Sequence, residues 1–485
     1  MGYSVERDAL PGHCVQPVWI ESDGVVDRIF VQRGAMRYSI SESDGTGTAT
    51  STPPAIGDTG VSVTGRPKVT APVPVADIEI LAPVGSRESL AAALRARADS
   101  IYFGVGGLDM RSGSATGLAL GDLRRIVGTA AGMGVKSYLT VNATLYDDDL
   151  PAMRGLLDAA RAVGVHAVIA ADQAAIAHAA AIGLPVHLST QLSVSNSAAV
   201  SFYAQWADVV VLARELNLEQ VQAIHKAIVE RDIRGPSGEL VRIELFAHGA
   251  ICMAISGKCH LSLHQYGRSA NRGECLQACR RKYLLTDLET GDGIAVDHQC
   301  LLSPKDLKTI HFLDRIIAAG VRILKIEGRA RPPEYVAETV ACYREAVQAI
   351  AAGTYGTQQV TDWDRRLAAV FNRGFWDGWY LGQRLGEWTG MYGSAATRKR
   401  VYVGRCTNYF SKAGAASFLV ESAALEPGDA LLITGPTTGA LYATPREIRV
   451  DDAVVSQAVR GMEPSFSVER RVRRADRLYK LVPAG

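Results

Sequence analysis

The sequence has no run of the roughly 18–20 apolar residues that a helix needs to cross a bilayer, so no membrane span is expected. The segment from Met1 to Cys14 lacks the apolar centre of a secretory signal. The expected location is therefore the cytoplasm, where thiols stay reduced. Cysteine is scarce, eight residues in 485, too few for a disulfide scaffold. Neither HExxH nor GxSxG occurs, so a zinc-protease helix and a serine-nucleophile elbow are both missing. Nor is there a strong charge of one sign: the formal net charge is +2, which does not decide for or against RNA.

What is present describes a folded chain of more than one domain. Hydrophobic residues make up 47% and charged residues 21%, enough for a sizeable core. Residues 1–75 stand apart. From Ser39 to Pro74 they are rich in Ser, Thr, Gly, Pro and Asp, and they are expected to form a flexible extension.

From Ile78 onward short apolar runs alternate with helical stretches. The runs are Ile78–Ala82, Ser100–Phe103, Val135–Val141, Ala167–Ala170, Val186–Leu188, Val209–Leu212, Ile243–Phe246 and Ile323–Ile326. Between them, segments such as Leu150–Val163 and Leu218–Glu230 carry apolar residues at three and four. This alternation means parallel βαβ units, and eight strands in roughly 250 residues predict a (β/α)8 barrel of the TIM type over residues 76–353. A doubly wound open sheet is the competing architecture. The runs end in polar residues or glycine, among them Asn142, Gln191, Arg214, His248, Lys325, Glu327 and Arg329, which a barrel brings together at its C-terminal mouth. A helical and aromatic connector, residues 354–396, follows with Phe375, Trp376, Trp379 and Tyr380. Short β-runs with turns then predict a small β-barrel domain over 397–485. Two basic knots lie there, Arg398-Lys399-Arg400 and the arginines 470, 471, 473, 474 and 477, either solvated faces or phosphate-binding surfaces.

Four of the cysteines, Cys252, Cys259, Cys275 and Cys279, fall within 28 residues, in the expected loop after the seventh strand. Inert cysteines are common singly, but a local quartet points to a metal centre. Six residues separate the first pair and three the second, wider and less regular than most structural zinc sites, so an iron–sulfur cluster is favoured over zinc. Cys279 is the fourth ligand expected from proximity, and Cys300 is the alternative. Arg268, Arg272, Arg280, Arg281 and Lys282 surround these thiols with positive charge.

At these residues the sequence resembles the collagenase-like peptidases, family U thirty-two. The segments are Glu244-Leu-Phe-Ala-His-Gly-Ala-Ile-Cys252 with Gly257-Lys-Cys-His-Leu-Ser262, flanked by Leu81-Ala-Pro-Val-Gly-Ser86, Ser303-Pro-Lys-Asp-Leu307 and Lys325-Ile-Glu-Gly-Arg329. Arg373-Gly-Phe375 and the β-domain look like the branch of that family that supports tRNA hydroxylation. The resemblance covers roughly residues 78–482. It implies a four-iron four-sulfur cluster on the cysteines and formation of 5-hydroxyuridine in tRNA with prephenate as a co-substrate. The family's label implies the alternative, hydrolysis of collagen-like peptides, and a non-catalytic cluster-binding scaffold is the third reading. For a small anionic co-substrate, Arg111, Arg214, Lys325 and Arg329 are the candidate cations, and Glu244 and Glu327 would position them or move protons. Catalytic roles are thus expected at Glu244, Lys325, Glu327 and Arg329, with tRNA as partner and no DNA. The aromatic connector and the basic β-domain would hold the RNA.

Overall fold

The computed structural model describes residues 77–113, 118–291, 293–294 and 302–484, together with the backbone of 16–22, 25–32 and 35–36. Cys14, Cys300 and the stretch Ser39–Pro74 lie outside the described residues. Two compact units divide the chain. The first comprises residues 1–67 and 282–299. Its described part is an antiparallel sheet of Gln16–Ser22, Val25–Gln32 and Ala35–Met36, and a pair of two-residue strands, Leu285–Thr286 and Gly293–Ile294.

The second unit holds the barrel. Its strands are β1 (Glu79–Val84), β2 (Ser100–Phe103), β3 (Lys136–Val141), β4 (Ala167–Ala170), β5 (Val186–Leu188), β6 (Val209–Val211), β7 (Arg242–Ala250) and β8 (Val321–Ile326). Each pairs in parallel with the next, and β8 pairs with both β7 and β1, which closes the ring. Val, Ile and Leu dominate the strands because both faces are covered, one by the barrel interior and the other by the helices. All eight predicted strands are present, and closure settles the choice against an open sheet.

Helices start where short polar side chains take up the free amides after a strand. Ser86 caps α1 (Arg87–Arg95), Asp172 caps Gln173–Ala181, and Asn217 caps Leu218–Glu230. Asp172, which follows the run Ala167–Ala170 and was expected at the mouth with the other strand-end residues, is thereby occupied with helix Gln173–Ala181 and the Leu145 amide.

After β8 the long helix α2 (Pro333–Ala351) covers the barrel, with Tyr335, Cys342 and Tyr343 fully buried. Helix α3 (Thr357–Ala369) packs on it through Trp363 and Leu367. The C-terminal region is an eight-stranded antiparallel sheet built on the long strand Arg398–Phe410, with Arg477–Pro483 on one side and Ala415–Val420 on the other. It has its own core, including Val403, Phe418, Ile433 and Phe466. Among the described residues no helix is long and apolar enough to cross a membrane.

Candidate functional site at the barrel mouth

The barrel interior carries charge where branched apolar side chains usually fill the space. Glu244 of β7 and Lys325 of β8 meet at 2.6 Å, both buried. A register shift between Ile243 and Glu244 offsets β7 against β8 at this point. The second Glu244 oxygen has no hydrogen-bond partner and lies 3.8 Å from Nδ1 of His187, itself unpartnered. Burial raises the Glu244 carboxyl against the pull of Lys325 and pushes the His187 imidazole down to about 3, so this histidine is neutral. Below His187 lie Tyr138, whose hydroxyl donates to Glu79 at 2.6 Å, and then Lys136 on Glu79 at 3.0 Å.

Above Lys325 the strand ends assemble a ring of cations around Glu327. Burial works to raise the Glu327 carboxyl, but Arg111, Arg214, Arg329 and Lys325 together hold it below the usual carboxylate range. Arg111 pairs with it at 3.3 Å, and the Tyr102 hydroxyl lies 3.3 Å from its other oxygen. Arg329 is buried on Asp109 at 2.6 Å and donates to Thr140 at 2.9 Å. Lys325 lies over the rings of Tyr102 and Phe246. The four cations and two glutamates singled out in the sequence therefore converge on one place. Three contributors escaped sequence reasoning: His187, Tyr102 and Asp109. The only signal for His187 is a histidine between Val186 and Leu188 in a barrel strand, where alternation turns it inward.

The cysteine segment, residues 251–281, folds over this mouth from the end of β7. It is held by ties to several strand ends. Gly113 donates to the Gly273 carbonyl at 3.0 Å and Thr144 to that of Asn271 at 2.9 Å. Arg272 pairs with Asp149 at 2.6 Å, and Arg280 donates to the carbonyls of Pro304 and Ile251. Two glycines permit this close approach. Gly257 and Gly273 have φ of +78° and +89°, and a Cβ would fall 2.4 Å from Cγ of Gln191 and 1.9 Å from Oγ of Ser112.

Cys252 is exposed, and Cys259, Cys275 and Cys279 are partly buried; all four are free thiols. They share one electrostatic neighbourhood. Burial raises the Cys279 thiol, Arg280 opposes this, and Cys252, Cys275 and Cys259 each add to the rise. Cys252 and Cys275 also act on Arg111, whose shift is dominated by Glu327. No three His, Cys, Asp or Glu side chains among the described residues surround a single metal-ion position. An all-thiolate donor set spread over one loop suits a multi-iron core, which spaces its ligands more widely than one ion does. Cys342 and Cys406 are buried elsewhere.

Other candidates go to different places. His248 is buried against Tyr335, Tyr343 and Phe375, held neutral by burial at about 3, and is not part of the mouth. Trp376 and Tyr380 are buried, and the Tyr380 hydroxyl donates to the Phe246 carbonyl at 2.9 Å. This part of the connector therefore packs on the barrel and leaves little ring surface for stacking on RNA. Of the basic knots, Arg470 donates to the carbonyls of Thr438 and Ala440, and Arg400 pairs with Glu334 at 3.0 Å. Arg398, Lys399, Arg471, Arg473 and Arg474 are exposed.

A closed (β/α)8 barrel with a charged mouth, covered by a loop bearing four cysteines, belongs to the class of barrels that do chemistry at their C-terminal face. The family profile described as Peptidase family U32 matches residues 85–390, and the chain belongs to that family. A protein named collagenase from Porphyromonas gingivalis is 54% identical over 84% of this chain and 98% of its own length. The tRNA hydroxylation protein P1 of Bacillus subtilis is 33% identical over 61% of this chain and 69% of its own. The 23S rRNA 5-hydroxycytidine C2501 synthase of Escherichia coli is 36% identical over 56% of this chain and 40% of its own.

Proposed function

We propose that this chain is an RNA-modifying enzyme that hydroxylates a uridine of tRNA, with Cys252, Cys259, Cys275 and Cys279 holding a four-iron four-sulfur cluster. The observation that carries the reading is the placement of four free thiols on a loop tied over a mouth ringed by Arg111, Arg214, Lys325 and Arg329. The relatives named for tRNA and rRNA hydroxylation support it. When bound, the cluster would supply one-electron redox or Lewis-acid chemistry. The protein's own part is to bind and orient. Arg111 and Arg329 are fixed by Glu327 and Asp109, so they present charge to an anionic co-substrate such as prephenate without reorganising. Lys325 and Glu244 hold a proton between them at the floor of the mouth. Exposed Arg398, Lys399, Arg473 and Arg474 of the sheet domain are suited to phosphates of the RNA.

A second reading has a specific observation behind it, the name collagenase on a relative 54% identical to this chain. None of the four thiols is hydrogen-bonded to a histidine among the described residues, so a cysteine–histidine nucleophile is not preassembled.

The two readings part in one experiment. The protein is purified without oxygen and its iron and sulfide are measured in wild type, Cys252→Ala and Cys259→Ala. Nucleosides of tRNA from a deletion strain, with and without each gene copy, are then quantified by mass spectrometry. The proposal expects a brown protein, loss of iron in both variants, and loss of one hydroxylated uridine that only wild type restores. Unchanged tRNA together with cleavage of denatured collagen by the purified protein would replace it with the peptidase reading.

A further inference from the structure

The connector rings Trp376 and Tyr380, expected to stack on RNA, are buried. Two other tyrosines stand open near the mouth. Tyr146, on the segment after β3, is 60% exposed, and Tyr266, in the cysteine segment, is 41% exposed. Each carries an arginine of that segment. The guanidinium carbon of Arg272 lies 4.0 Å from the centre of the Tyr146 ring. That of Arg281 lies 5.1 Å from the centre of the Tyr266 ring, and Arg281 donates to the Tyr266 hydroxyl at 2.7 Å. Arg272 is itself anchored, on Asp149 at 2.6 Å and on the Thr144 carbonyl at 3.0 Å. One face of Tyr146 is thus backed by a fixed cation, and its exposure leaves the other open. Charge gathers on the same segment. Residues 251–281 hold five cations, Lys258, Arg268, Arg272, Arg280 and Arg281, against one acid, Glu274, in a chain whose formal net charge is only +2. Arg268 takes that acid at 2.7 Å, while Lys258 and Arg281 are exposed with no ion-pair partner among the described residues. Along the segment Met253, Ile255, Leu263 and Leu276 also expose apolar side chains. Open aromatic faces, apolar side chains and spare cations together fit a flexible polyanion whose subunits have flat faces. An acidic protein would meet the charge alone, and a duplex keeps its base faces inside its own stack.

We propose that the outer face of the cysteine segment, together with Tyr146, is a docking platform for single-stranded RNA, with bases stacked on Tyr146 and Tyr266 and phosphates on Lys258 and Arg281. The proposal rests on the reading of RNA as the substrate and adds where its reacting stretch lies. Cys252, Cys259 and Cys275 belong to the same segment, and Cys252 is exposed next to exposed Met253. A strand held here lies against the thiols that cover the mouth, and the arginines of the sheet domain are left to hold flanking phosphates. Stacking on a tyrosine also takes a base out of the stack of its neighbours, a step that any base needs before it enters a pocket for chemistry.

The test is fluorescence anisotropy of a labelled oligouridylate of about ten nucleotides, titrated with the anaerobically purified protein at fixed salt. Wild type is expected to bind the single strand roughly ten-fold more tightly than the same strand paired with oligoadenylate. Tyr146→Ala and Tyr266→Ala should each weaken the single strand about five-fold or more, with iron content and thermal midpoint retained. Tyr146→Phe keeps the stacking face and should stay within about two-fold of wild type. An oligouridylate carrying 4-thiouridine should cross-link, under long-wave light, to peptides from residues 144–150 or 251–281. Unchanged affinity in both alanine variants, equal binding of the duplex, or cross-links confined to the sheet domain overturns the platform. Absence of RNA binding overturns it as well, and binding of denatured collagen that the alanine variants lose would then make this face a peptide surface. The two readings fail separately. RNA held by the sheet domain alone sinks the platform and leaves hydroxylation standing, whereas a strand bound on the two tyrosines with an unchanged tRNA nucleoside profile keeps the platform and sinks hydroxylation.

Discussion

Glu244 and Lys325 are 81 residues apart in sequence and touch only because β7 and β8 are neighbours in the closed ring. Burying two charges is expensive, and their attraction in the interior repays the cost only while both are present. Lys325→Met should therefore destabilise the fold by roughly 3–5 kcal/mol in urea unfolding, and adding Glu244→Gln should recover part of the loss. Additive losses would show that the two side chains do not depend on each other. The buried histidines make a second prediction at this scale. His187 and His248 are lowered by burial from 6.5 to about 3 in the fold. Below about pH 6.5 the unfolded chain takes up two protons that the native state refuses, so stability is intact above that pH and falls as the solution is acidified towards pH 3. Each histidine contributes a slope of about 1.4 kcal/mol per pH unit across that window. His248→Gln should remove about 1.4 kcal/mol per pH unit from the slope in unfolding measured between pH 6 and 4, and an unaltered slope would mean that His248 is protonated in the native state.

Single elements were legible in the sequence wherever one local rule governed them. The strand Val186–Leu188 is three residues long, yet it was legible as one of a series of apolar runs alternating with helical stretches. The helix Leu218–Glu230 was legible from its apolar residues at three and four, and in the structure Asn217 and Gln220 close its start with a capping box. Helix α3 shows the limit, since it was expected only as part of a helical connector over 354–396, without bounds of its own. Its sequence, TQQVTDWDRRLAA, is mostly polar, and only Trp363 and Leu367 are buried, too few to mark a helical face. The cysteine quartet was legible as a group, but its ties were not. Arg272–Asp149 and the contact of Gly273 with Ser112 join segments distant in sequence, and no periodicity reports them. They predict what holds this loop. In Gly273→Ala the added carbon meets Ser112 Oγ and the Asp109 carbonyl at a positive φ, a strain of roughly 1–3 kcal/mol confined to the loop. Limited proteolysis should cut residues 251–281 faster than in wild type, while the urea midpoint of the barrel moves little. Equal cleavage rates would show that the loop does not depend on this approach.

At the scale of the whole molecule, the core outside the barrel strands and the core of the C-terminal sheet are joined by a tight contact between the sheet domain and the barrel's first helix. The larger core runs through the barrel and helix α2, and the smaller lies within the C-terminal sheet. Strand Gly439–Ala443 packs on α1, where Arg95 donates to the Thr437 carbonyl at 2.9 Å. Gly439 is the point of closest approach. Its φ is +71°, and a Cβ would fall 2.7 Å from the backbone nitrogen of Ala92. Neither neighbour can give way, because the atom met is helix backbone and not the tip of a flexible side chain. Gly439→Val adds a branched side chain to this contact, so overpacking and backbone strain act together, each costing about 1–3 kcal/mol. The barrel's ion pairs and cysteine loop are far along the chain from this residue and keep their own supports. The expected outcome in thermal unfolding is a wild-type protein that melts in one transition and a variant in which an earlier transition, carried by the sheet domain, separates from that of the barrel. A variant that still melts in one step at the wild-type temperature would show that the two cores are coupled through other contacts, with the Gly439 contact contributing little.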